Sequence, residues 1–385
     1  MFKMKSFAQI VKNTFKTHDF MQGDVGNCGL IASLASLSRR SEFLKEIAPK
    51  IIFENKLQFE FKMFSRGKPT KVTVDYNLPL DGNKSLVFAR PIRNDKFPLA
   101  SYFEKAFVKK ACFNSYKNSE KTDPLFAFTS FSECMSIRRW WETEESKQNL
   151  MKFIKYEVDS KSSLVMTLSP RLYTEEEFSA HAYDVIDYNY YHKAVKLYDP
   201  NCNPENCASD EKLPHSLTAN ADSTKGELWV TIDQLKKRWV GICSLHSKDM
   251  YKSVFKLEEQ INFSHLDGVT RKAVWKVCIT EPSTFIINFF SYSHEVESVG
   301  LTVTNVDSGR REIYLKNDLP FNSGTGQYTK NGIEKSSYSH KFELQPNNYE
   351  FSFVFKMADE DLTEKIDDFL IKVGCTSECT FYCYK

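Results

Sequence analysis

The chain has 385 residues, 41% of them hydrophobic and 14% aromatic, including 31 Phe and 18 Tyr. A disordered chain does not carry so many large buriable side chains, and one compact core seldom uses so many residues, so two or three folded domains are expected. Lys and Arg total 52 against 50 acidic residues, a net charge of +2, which points to neither nucleic acid nor membrane as a general partner.

The first residues, MFKMKSFAQIVKNTFKTHDF, interrupt their apolar positions with Lys3, Lys5 and Lys12, so no signal-peptide core is expected and residues 7–16 read as a short docked helix. No run is long enough to span a bilayer, and a cytoplasmic location is expected. Asp19 to Asn27 reads as a loop, with Gly23 and Gly26 as turn residues. Leu30, Ile31, Leu34 and Leu37 then recur at helical spacing from Cys28 to Ser38. Residues 57–64 and 70–76 read as strands, Lys96 to Lys110 as a helix, and IRRWWE suggests another helix.

From about residue 155 the pattern turns to short aromatic and β-branched runs: VDSKSSLVMTLS, SAHAYDVIDYNY and KAVKLYDP. GELWVTIDQLKKRWVGICSL reads as a strand followed by a helix, with Thr231 as cap and Leu235 and Trp239 on its apolar side. Residues 258–270 read as a linker. Beyond it, seven segments from KAVWKVCI to DFLIKV read as strands of a sandwich. The ten cysteines, without a secretion signal, read as mostly reduced thiols. Neither the Cys202–Cys207 pair nor the tail of Cys375, Cys379 and Cys383 has the spacing of a four-ligand zinc site.

The stretch QGDVGNCGLIASLASL places Cys28 between a glycine turn and a buried helix. A helix N-terminus directs unpaired N–H groups and a positive dipole end at such a residue and stabilises a thiolate. A nucleophile and a packed core cysteine fit this stretch equally. Gln22 can bring an amide donor to the same point, which with the Cys28 N–H would make an oxyanion hole. A thiolate needs a base and an orienting group. His181, at the start of a strand, is the candidate base, with a hydrogen-bonded edge histidine as the plainer reading. Asp199 is the candidate orienter, and equally a turn-initiating Asp before Pro200.

These motifs, taken in order, resemble the calpain family, papain-like cysteine proteases of the cytosol. Its signature Q-G-x-x-G-D-C-W corresponds to QGDVGNCG, L-L-E-K-A-Y to YFEKAF, G-H-A-Y-x-V to AHAYDV, and D-G-E-F-W to KGELW. In the last part, LQPNNY and DFLIKV echo the family's C2-like sandwich. The resemblance implies an α+β fold: a papain-like two-subdomain cysteine protease core followed by a C2-like antiparallel β-sandwich. The parts would be residues 1–150 with the nucleophile helix, 151–258 with the catalytic histidine, and 270–385 as the sandwich. No segment matches the penta-EF-hand domain of conventional members, so no partner interface of that kind is expected.

The implied activity is limited proteolysis of intracellular proteins, with Cys28 as nucleophile, His181 as base, Asp199 as orienter and Gln22 in the oxyanion hole. A non-catalytic regulatory or protein-binding module on the same fold is the alternative. The resemblance leaves room for weak lipid contact through the C2-like domain. Departures are specific: Asp199 stands for the family's asparagine, Asn201 and Gly29 for its two shielding tryptophans, and Asn27 for the aspartate before the cysteine. A wetter, wider cleft is expected. Calcium is the implied cofactor, with Asp19 and Glu227 on acidic ligand positions. Lys96 and Lys225 fall on other acidic positions, and there they subtract oxygen ligands and add repulsion, so weakened or absent calcium binding is expected.

Overall fold

A computed structural model of the chain describes residues 20–40, 43, 46–53, 57–65, 68–92, 97–111, 115–120, 122–141, 149–169, 181–202, 212–236, 239–246, 248–258, 264–265, 270–291, 296–315, 336–357 and 369–383. The readings for residues 7–16, Asp19 and Lys96 fall outside the described residues. The chain divides into two compact units, residues 1–133 with 138–246, and residues 134–137 with 247–385.

The first unit opens on helix α1, Cys28–Ser38, in which every residue from Gly29 onward is buried. A helix that is apolar all round needs protein on every side, and its serines must find acceptors. Ser33 and Ser38 donate to the carbonyls of Gly29 and Ala35, each at 2.7 Å. Strands β1 (Lys50–Phe53), β2 (Leu57–Ser65) and β3 (Lys68–Asp75) form an antiparallel sheet. Helix α2, Leu99–Lys110, packs on it. Helix α3, Pro124–Phe131, is started by Asp123, whose Oδ1 accepts the Leu125 N–H at 2.8 Å.

Next comes β4, Ser136–Trp141. The helix suggested by IRRWWE is therefore a strand. Its aromatic residues suit either element, and its place at the edge of a six-stranded sheet beside β9 (Trp239–Leu245) decides the matter. Helix α4, Leu150–Asp159, is amphipathic and buries Leu150, Met151, Phe153 and Ile154. The sheet is completed by β5 (Ser163–Ser169), β6 (His181–Asn189), β7 (Ala194–Tyr198) and β8 (Glu227–Thr231), in the order β4-β9-β5-β6-β7-β8. Thr231 does cap the helix after β8, accepting the Gln234 N–H at 3.3 Å. That helix ends at Lys236, however, and Trp239 starts β9 rather than extending its apolar side.

The second unit contains β10 (Ser253–Glu258), β11 (Ser264–His265), β12 (Thr270–Ile279), β13 (Ser283–Ser291), β14 (Val296–Asn305), β15 (Arg311–Leu315), β16 (Ser336–Leu344), β17 (Asn347–Met357), β18 (Phe369–Cys375) and β19 (Cys379–Cys383). They make two antiparallel sheets, β10-β18-β13-β16 and β11-β12-β17-β14-β15, with β19 pairing β12. One core joins the inner faces, with Trp275, Leu301, Phe351 and Phe353 from one sheet and Phe285, Ile287, Ile371 and Val373 from the other. All seven segments read as strands from residue 270 onward are strands. The segment read as a linker carries the end of β10 and the two-residue strand β11.

Candidate active site

Cys28 is the first residue of α1 and is partly exposed. Two links tie α1 to the sheet that carries His181. The Ser36 hydroxyl accepts the Leu164 N–H of β5 at 2.8 Å. Just beyond it, at the C-cap, Arg39 pairs with the buried Asp184 and donates to the Val185 carbonyl at 2.8 Å, both on β6. These links fix the helix against the strand on which His181 is the first residue. The Cys28 thiol lies near enough to the His181 ring to raise its pKa. His181 Nε2 lies 2.8 Å from Asp199 Oδ1, which leaves Nδ1 as the ring nitrogen for the thiol.

Asp199 follows β7 and is buried. Its Oδ1 also accepts the Asn201 N–H at 2.8 Å, and its backbone N–H donates to the Gly226 carbonyl at 2.8 Å. Gly226 has φ +79°, and a Cβ there would lie 2.5 Å from the Asp199 carbonyl oxygen, so only glycine lets the two segments come this close. Tyr198 donates to the Phe20 carbonyl at 2.5 Å. The Gln22 N–H donates to the Pro200 carbonyl at 2.8 Å. The loop before the helix is thereby stitched to the turn that holds Asp199. The Gln22 Oε1 is buried and has no hydrogen-bond partner.

Burial opposes a charge on His181, yet the hydrogen bonds and charges of Asp199 and Cys28 outweigh it and push its pKa from 6.5 up to about 9. A partly buried imidazolium beside a thiol and a carboxylate is an arrangement that suits a cysteine nucleophile.

A profile described as calpain family cysteine protease matches residues 2–244. The chain belongs to this family. It is 24% identical to the human calpain-2 catalytic subunit over 302 residues, which is 70% of this chain and 41% of the human protein. It is 25% identical to calpain-B of Drosophila melanogaster over 160 residues, 40% of this chain and 16% of that protein. The chain spans about two fifths of the length of the calpain-2 relatives it matches.

Where the calpain signature has a tryptophan after the cysteine, Gly29 leaves no room for any side chain, because a Cβ there would lie 1.9 Å from the Thr122 carbonyl oxygen. Asn201, in place of the second tryptophan, is exposed. Of the two acidic calcium positions, Asp19 lies outside the described residues. Glu227 is held by Lys196 at 2.7 Å and accepts the Asp222 N–H at 3.1 Å. Lys225 lies 2.5 Å from Asp222. Both carboxylates of this loop already face ammonium groups, so the residues here do not fit a hard cation in this arrangement. Among the described residues no group of three or more His, Cys, Asp or Glu side chains is placed to share a metal ion. No described helix is long and apolar enough to cross a membrane.

One group near the site escaped the sequence reading. Glu104, on α2, is fully buried. Its Oε1 accepts from Asn27 Nδ2 at 2.5 Å and its Oε2 accepts the Ala89 N–H at 2.8 Å. The signal was present in YFEKAF, where Glu104 follows Phe103 and is three positions before Phe107, on the side of the helix that is otherwise apolar.

Proposed function

We propose that the chain is a cysteine endopeptidase that cleaves intracellular proteins at a limited number of bonds. The observation that carries this reading is the His181 ring, bonded to Asp199 at 2.8 Å and shifted in pKa by the neighbouring Cys28 thiol. In the proposed cycle the Cys28 thiolate attacks the scissile carbonyl carbon. The Cys28 N–H and the Gln22 side-chain amide receive the oxyanion. His181 gives its proton to the leaving amine, then takes one from the water that hydrolyses the thioester. Asp199 keeps the ring oriented throughout. The supporting architecture would be a papain-like pair of subdomains and a C2-like sandwich acting in the cytoplasm, with protein substrates and no nucleic-acid partner. No step is routed through calcium, since lysines hold the carboxylates of the Glu227 loop.

A non-catalytic binding module is the second reading, favoured by the orphaned Gln22 Oε1 and by the absence of a side chain at position 29. Turnover of a casein substrate separates the two, measured with free calcium titrated from chelated to millimolar. Cleavage that vanishes in Cys28→Ala and does not depend on calcium is expected. No cleavage at any calcium level, with Cys28 inert to a thiol-reactive peptide probe, would replace the protease reading by the binding one.

A further inference from the structure

The residue before the nucleophile behaves unusually for its position. Asn27 is the N-cap of α1, and its carbonyl accepts the Leu30 and Ile31 N–H groups at 2.9 and 3.2 Å. Asparagine is favoured at this position because its side chain can accept a helix N–H. Here the side chain makes no cap hydrogen bond. The carboxamide turns instead to Glu104 and to Ser119 Oγ, at 2.5 and 3.2 Å, and its Oδ1 is buried without a partner.

Glu104 also holds the second loop at the site. Its bond to the Ala89 N–H belongs to the segment 87–90, which pairs with Met21 through Arg90 and accepts the Asp24 N–H at Val87. Thus one buried carboxyl ties the Cys28 loop to the strand-like segment beside Gln22. Burial raises its pKa from 4.5 to about 7, against the lowering effect of the Ala89 and Asn27 donors. The titratable group facing it is Tyr116, whose ring stacks on Phe88 at 3.9 Å. The nearby charges are engaged elsewhere: Lys105 lies 2.8 Å from Asp75, and the Arg90 guanidinium donates to the Leu86 carbonyl at 3.4 Å.

We propose that Glu104 is a positioning residue for Cys28, a buried carboxyl that grips Asn27 and changes that grip with its own proton. When ionised, Glu104 accepts from Asn27 Nδ2. When protonated, it has a hydroxyl to donate, and the unpartnered Oδ1 of Asn27 is the acceptor within reach once the carboxamide turns over. Either state leaves Asn27 held, but with a different load on the first turn of α1, where the Cys28 N–H and thiol sit. The inference rests on Cys28 being the reactive thiol of the proposed protease.

The test is the rate of Cys28 alkylation by iodoacetamide in the full chain, followed by peptide mass spectrometry from about pH 5 to about pH 10. Wild type is expected to show a step near neutrality, separate from the His181 ionisation. Glu104→Gln should lose this step and keep the rate that wild type has on its acid side. Asn27→Ala removes a donor that lowers the Glu104 pKa, so the step should move upward by about one pH unit. A folded E104Q protein whose profile superimposes on wild type overturns the inference. Where E104Q fails to fold, an unmoved step in N27A overturns it equally. A Cys28 that is inert in every variant sinks the protease reading as well, which separates that failure from failure of the Glu104 proposal alone.

Discussion

At the scale of single residues, the charge on His181 sets the working range. Its folded pKa of about 9 lies above the ordinary 6.5, so the stabilisation from its partners is fully present below about pH 6.5 and is lost as pH rises through about 9. Turnover should therefore have an alkaline limit near pH 9, where His181 loses the proton it gives to the leaving amine, read from the pH profile of kcat. Asp199→Asn keeps an acceptor for Nε2 but removes a negative charge, so the limit should move to lower pH with activity retained. Asp199→Ala removes the acceptor, and kcat should fall by about 100-fold, with KM changing little. An unchanged kcat in the alanine variant would show that His181 is oriented by something else.

At the scale of elements, the position of α1 against β6 rests on Arg39 and Asp184. Asp184 is fully buried, and burial raises its pKa from 3.8 to about 6 even though Arg39 works in the other direction. The sign follows from the raised value: the ionised carboxylate is penalised, and stability is lost as pH rises through about 6. Arg39→Ala leaves this carboxylate without its main counter-charge and should cost about 3–5 kcal/mol in urea unfolding at pH 8. The loss should be smaller near pH 5, where Asp184 takes up a proton. Arg39→Ala/Asp184→Asn should recover part of the loss at pH 8, and equal losses at both pH values would rule out this account. The same scale explains β4. Two arginines and two tryptophans in a row satisfy neither a helical nor a strand pattern decisively, and only hydrogen bonding to β9 selects the strand.

At the scale of the whole molecule, each unit carries its own core, one between α4 and the six-stranded sheet, the other between the two sheets of the sandwich. Phe285 is fully buried and packs edge-on against Phe351 from the opposite sheet, with ring centroids 5.5 Å apart. Phe285→Ala should destabilise the sandwich by about 3–5 kcal/mol through lost burial and a residual cavity. Near-ultraviolet circular dichroism should detect this as earlier loss of the signal from buried aromatics such as Trp275. A change under about 1 kcal/mol would mean that the sheets close over the gap.

The sequence alone determined the local features, because they depend on nearest neighbours in the chain: the helix from Cys28, the strands of the second unit, and the order of the motifs that resemble the calpains. Cys28, His181 and Asp199 were legible as candidates because each sits at the end of an element, where a side chain is free to act. Each also had a plain structural reading of comparable weight, and only the tertiary structure brought the three into contact, since they are far apart along the chain. The tertiary structure alone also decided the environments. It put Lys196 on Glu227, and it placed the carbonyl of Thr122 where a side chain at position 29 would lie. It buried Glu104 beneath Asn27, 77 residues away in sequence. Periodicity reports which face of an element is apolar, but not which partner covers it. Electrostatics and hydrogen bonding at a site are set by that partner.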